Sequence, residues 1–270
     1  MVIMRENAMQ YGVCGGPEMA AAAKEAGYDF FEWSVPGLLK PREDEKAFKS
    51  ALAEVQACGV PCPALNLFIP SDLKITGPEA DAGALEQFVS VTCRRAGQAG
   101  VETIVLGSGG ARRIPDGFDR DEAHRQIVAF CRMAGPLAAA QGVTIAVEPL
   151  NQRACNVLTS VQESADLVRE VNHPAIRLLV DAWHWATDDH SIEAIVANGR
   201  LLAHVHIATY PTRLPPGAEP FDWAPFFAAL REGGYNGRIS IEGKIPDPPR
   251  DLPRALAVMR SLARDDNLPG

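Results

Sequence analysis

One short word recurs along this chain: an amphipathic stretch, a glycine, then a β-branched or aromatic run. It reads EAGYDFFEW, ACGVPCPALNLF, QAGVETIVLG, AQGVTIAVEP, ANGRLLAHVHI and EGGYNGRISIE. Glycine takes the left-handed conformation that closes a helix, so each word predicts helix, cap and strand, with junctions at Gly27, Gly59, Gly100, Gly142, Gly199 and Gly234. A seventh junction, Asn172-His173-Pro174, uses proline to stop the helix before IRLLVDAWH. With QYGVCG as the first strand, eight strands are expected near 10–15, 30–35, 62–69, 103–109, 144–150, 176–183, 202–208 and 238–243.

Helices fill the gaps. Leu85, Phe88, Val89, Thr92 and Ala96 fall at three- and four-residue steps and predict one buried stripe, as do Ile127, Phe130, Ala134 and Leu137 in a helix that Pro136 should kink. Strands alternating with helices imply parallel pairing through right-handed crossovers. Eight such units predict an α/β fold, a single closed (β/α)8 barrel, with an open doubly wound sheet as the alternative. Without a Pro-rich linker, residues 1–270 are expected to form one domain, with 1–8 as an N-terminal extension and 266–270 as a C-terminal tail. The longest loops, at 71–80, 107–119 and 209–220, all leave the carboxyl ends of strands, where a barrel of this kind carries its active site.

Composition narrows the function. A net charge of -8 argues against a nucleic-acid binder, which needs clustered cations to neutralise phosphates. The start is interrupted by Arg5, Glu6 and Asn7, and no segment approaches the roughly 18 to 20 apolar residues of a membrane span, so a cytoplasmic protein is expected. The six cysteines lack paired zinc spacings and read as reduced thiols.

Four predicted strands end in groups able to bind a hard or borderline cation: VEPLN (147–151), VDAWH (180–184), HVHIA (204–208) and IEGK (241–244). A carboxylate placed directly after a buried apolar run is costly to desolvate unless a cation or hydrogen bonds compensate it. Parallel strands of a closed barrel bring their carboxyl ends around one axis, so Glu148, Asp181, His206 and Glu242 are expected to converge. Three carboxylates and one imidazole suit Mn2+, Co2+ or Mg2+. His204 shares a face with His206, but His206 lies nearer the strand end.

These motifs, in this order, resemble the sugar isomerase/epimerase superfamily of xylose-isomerase-like TIM barrels, particularly its ketose 3-epimerase and hydroxypyruvate-isomerase-like branch. The resemblance covers essentially the whole barrel. It implies that Glu148, Asp181, His206 and Glu242 hold one divalent ion, Mn2+ foremost, and that His184 and Arg213 touch substrate oxygens. The substrate class is a small sugar or keto-sugar, with no nucleic-acid or membrane partner and a homodimer or homotetramer as the assembly. One departure concerns the substrate: where relatives read Asn-Arg-x-Glu-x-Asn, this chain has Asn151-Gln152-Arg153-Ala154-Cys155-Asn156 and so lacks a carboxylate expected near a free ketohexose.

The chemistry implied is proton abstraction beside a carbonyl, with Glu148 and Glu242 as the proton carriers on opposite faces of the sugar. Epimerisation, aldose-ketose isomerisation and dehydration of a cyclitol or keto-sugar all follow from this set. An endonuclease IV-like nuclease needs further histidines where the chain offers Asn66 and Ser108. A non-catalytic sugar-binding module would not need two glutamates on one metal. Among weaker candidates, Glu32 would bind a hydroxyl, orient His184 or form a strand-end salt bridge, while Asn66, Phe68, Trp33, Trp183 and Trp185 would line a sugar pocket or pack in the core. GSGGARR after the fourth strand reads as a flexible loop.

Overall fold

A computed structural model describes residues 9–263 and shows eight parallel strands closed into a barrel in sequential order. The strands are β1 (Gln10–Cys14), β2 (Phe30–Ser34), β3 (Ala64–Asn66), β4 (Thr103–Leu106), β5 (Thr144–Val147), β6 (Ile176–Asp181), β7 (Leu202–Ile207) and β8 (Arg238–Ile241). β1 pairs with β8, which rules out the open sheet. The expected extension 1–8 and tail 266–270 lie outside the described residues. No helix among the described residues is long and apolar enough to cross a membrane.

The predicted stripe on the helix Ala82–Ala99 is buried, and Asp81 caps that helix by accepting from the Ala84 backbone N–H. Ile127, Phe130 and Ala134 are buried in the helix Arg120–Ala139, which contains Pro136, while Leu137 is only partly covered. Two cores result: a large one between strands and helices, and a small one of Val105, Ala146 and Leu179.

Gly27, Gly59, Gly100, Gly142 and Gly234 take the left-handed conformation. Two junctions differ from expectation. Gly199 has φ −54, and a Cβ there would collide with the backbone of Gly233, so close approach is what requires glycine. At the seventh junction Asn172 itself caps the helix with φ 49. β3 is also shorter than expected: Pro63 has no N–H to offer at its start, and Leu67 turns left-handed (φ 55) just after Asn66.

Candidate active site

Register places the four expected donors. Asp181 pairs with His206 across β6 and β7, Glu148 follows β5 and Glu242 follows β8. One donor atom from each of Glu148, Asp181, His206 and Glu242 lies within 4.8 Å of every other. His206 Nδ1 stands 3.3 Å from Glu148 Oε1 and 3.4 Å from Glu242 Oε2.

Local structure explains how each group is held. Asp181 caps the helical turn Ala182–His184, its Oδ1 accepting from the His184 N–H at 2.9 Å, which accounts for the Asp-x-x-His spacing. Its other oxygen, Oδ2, is buried without a hydrogen-bond partner; the nearest cationic group is Arg213 at 3.7 Å. Glu148 fits because residue 107 is glycine: a Cβ there would collide with Glu148 Oε2. The Glu148 carbonyl accepts from Arg112 at 2.5 Å, and the same buried guanidinium donates to Leu106 O at 2.8 Å. Arg112 belongs to the helical turn Gly109–Arg112, so GSGGARR is an anchored turn, contrary to the flexible loop expected.

Of the expectations for Glu32, the ion pair is the one the structure bears out. It is wholly buried, with Oε1 3.0 Å from His206 Nε2 and Oε2 2.8 Å from His204 Nε2. Both oxygens are committed to histidines, so it neither takes a substrate hydroxyl nor orients His184. An ionised carboxylate only accepts, so His206 Nε2 carries a proton and directs Nδ1 at the cluster. The signal was the one-residue alternation that puts Glu32 inside the barrel, but its partner lies 174 residues away.

The expected substrate contacts divide. Arg213 (φ 60) donates to Glu242 Oε2 at 2.6 Å and stands 4.7 Å over the Trp183 ring. Its loop folds onto β8, with Lys244 N–H donating to Arg213 O at 2.8 Å. Asn66 donates to Glu242 Oε1 at 3.3 Å. His184 Nδ1 accepts from the Asn151 N–H at 2.9 Å, leaving its proton on Nε2. Trp33, next to Glu32, points to the opposite face and packs where Gly16 and Gly37 leave room, away from the cluster. Phe68 and Trp185 pack against Phe130 and Phe226. Ala154 is exposed in the turn after β5, its N–H held by Asn151.

The electrostatics are those of crowded carboxylates around one imidazole. Burial works to lower His206, but Glu32, Glu242 and Glu148 raise it well above its ordinary range. Burial raises Glu148, with Glu242 and Asp181 adding to the effect. Burial also opposes ionisation of Glu242, yet His206 and Arg213 hold it down to about 2. Burial likewise works against the Glu32 anion, but the two histidines keep it well below the usual carboxylate range.

A cation fits these residues on two observations. Asp181 Oδ2 is a desolvated acceptor with no donor, and the donor set is hard oxygen with one imidazole. An ion held at about 2.0–2.2 Å reaches across ligands roughly 4 Å apart, close to the spread present.

Comparison with known proteins agrees with the architecture. The chain is 28% identical over 265 residues to L-ribulose 3-epimerase of Methylomonas sp., covering 96% of this chain and 90% of the relative. It is 26% identical over 245 residues to 3-dehydro-D-guloside 4-epimerase of Escherichia coli, covering 88% and 91%. The crystal structure of D-psicose 3-epimerase with D-tagatose from Clostridium cellulolyticum superposes with a TM-score of 0.81 at 19% identity, covering 94% of this chain and 99% of that one, a likeness of fold. A family model described as xylose isomerase-like TIM barrel matches residues 20–262.

Proposed function

Because the chain belongs to the xylose isomerase-like TIM-barrel family, we propose that it is a divalent-metal-dependent sugar epimerase or isomerase, active as one domain. The observation that carries this reading is the convergence of Glu148, Asp181, His206 and Glu242 around an Asp181 oxygen that has no donor. Mn2+ is the proposed ion, with Co2+ or Mg2+ as substitutes. When bound, it supplies Lewis-acid stabilisation of the charge that builds on a carbonyl oxygen.

The chain's own groups do the rest. Glu148 and Glu242, just past the ends of β5 and β8, transfer the proton beside the carbonyl from the two faces of the sugar: one removes it and the other returns it. Asn66 and Arg213 hold the Glu242 carboxylate at its two oxygens, fixing its aim. His184 and Arg213 bind substrate oxygens. The 209–220 loop carries Arg213 to the site, and its Pro211 carbonyl accepts from the Trp183 indole N–H. The curated relatives named above are epimerases, which favours epimerisation over dehydration. No histidine from β3 or β4 joins the cluster, which disfavours a nuclease.

The test is solvent-deuterium exchange by the Mn2+-loaded protein across ketoses, inososes and 3-keto-glycosides. One of them should incorporate deuterium next to its carbonyl, without loss of water, and Glu242→Gln should slow that exchange by about 10²–10⁴-fold. If no keto-sugar exchanges in the loaded protein, the reading fails.

A further inference from the structure

At the same carboxyl end of the barrel as the metal cluster lies a groove of about 540 Å³ between the loops that follow β2, β3 and β4. That volume is in the range of about 300–1,000 Å³ typical of sites for whole small molecules. None of the four cluster residues lines it, yet it begins one residue beyond the site on two strands. Asn66, which holds Glu242, is followed by Leu67 in the groove; Gly107, which makes room for Glu148, is followed by Ser108 in the groove.

Two features point to what it takes. Leu67 is 61% exposed and held in left-handed backbone, an apolar side chain placed in water at the cost of strain. Pro41 and Phe88 continue the apolar wall. The cations on the lip are already neutralised: Lys40 pairs with Glu43 at 3.3 Å, and Arg42 pairs with Asp72 at 2.8 Å while standing 5.8 Å over the Phe88 ring. With each of these cations matched by a carboxylate, the lip offers a phosphate no net positive charge, whereas an uncharged ring would lie against the exposed Leu67 side chain.

We propose that this groove holds the uncharged, apolar or aromatic substituent of a glycosidic keto-sugar whose sugar ring sits at the metal cluster. The proposal rests on the sugar-carbonyl reading and adds to it the class of substrate: an alkyl or aryl glycoside, and not a sugar phosphate.

The experiment compares methyl and phenyl β-D-glucosides, which do not react, by calorimetric binding to the Mn2+-loaded protein, alongside turnover of their 3-keto forms. The phenyl compound should bind at least about tenfold more tightly. Ser71→Trp, which fills the groove from an exposed position in its wall, should erase that preference. Equal binding of methyl and phenyl compounds, or tighter binding of glucose 6-phosphate than of either, overturns the proposal. So does sedimentation showing that Ser71→Trp splits a dimer, because the groove then belongs to a second copy of the chain. If the phenyl preference appears but no keto-sugar turns over, the groove stands and the catalytic reading falls. If both keto-glucosides turn over with the same kcat/KM, the catalytic reading stands and the groove falls.

Discussion

The two ends of the barrel occupy the left-handed backbone region with different residues. Where helices return to strands, at the amino end, the region holds Gly27, Gly59, Gly100, Gly142 and Gly234, joined by Asn172. At the carboxyl end it holds Lys40, Leu67, Ser108, Leu158, His190 and Arg213, along with Gly77, Gly117 and Gly217. A side chain in that conformation costs of order 1–2 kcal/mol, which glycine avoids. One end is therefore relaxed, and the other keeps strain where side chains serve chemistry. Arg213 and Leu67 make the point directly: the first reaches Glu242, and the second follows the Asn66 that holds it.

The sharpest way to break this contrast is at the carboxyl end. Glu32→Gln keeps the shape of the side chain but loses the ionised acceptor behind His206. It should weaken Mn2+ binding by about 10–100-fold in calorimetry, the range seen when a group behind a metal ligand is changed. An unchanged Kd would remove Glu32 from the working site.

Acidity should also act mainly on that end. Glu32 and Glu242 are depressed, so their stabilising contribution is complete above the unfolded carboxylate value of ~4.3 and is lost as pH falls, for Glu242 towards about 2. His206 is raised, so its contribution is complete below ~6.5 and is lost as pH climbs through the raised value. Thermal melts of the metal-free protein should therefore peak between these ranges. Mn2+ should bind more tightly as pH rises and release a proton, because it needs the Nδ1 lone pair. Metal affinity independent of pH would contradict the placement of His206.

The amino end should answer in stability alone. Gly199→Ala forces a Cβ into Gly233 and should cost about 1–3 kcal/mol in urea unfolding, with Mn2+ affinity of the folded protein unchanged. Gly100→Ala meets nothing within 4 Å, so only its backbone conformation is penalised, by about 1 kcal/mol. Equal costs for the two would mean that close packing at Gly199 is not what selects glycine there.

The strand count, the closed barrel and the four converging donors were legible because each is written locally, as a glycine cap, an apolar run or a carboxylate at a strand end. What was not legible depends on pairs far apart in the chain. Glu32 read as a hydroxyl binder, an orienter of His184 or half of an ion pair with no named partner until register set it between His204 and His206. Gly199 looked like its sister caps because its true constraint, Gly233, lies 34 positions on. Arg112 looked like part of a glycine-rich loop because its acceptors, Leu106 O and Glu148 O, are backbone atoms that no side-chain pattern records.

Gly107 couples the histories of two positions. Since a methyl group added at 107 would meet Glu148 Oε2, the carboxylate would have to turn, and the smallest drift at 107 arrives together with a shift of a proposed proton carrier. A homologous chain bearing alanine there would hold its carboxylate in a different rotamer. That makes residue 107 a one-letter test of whether a related sequence has kept this arrangement of the metal cluster.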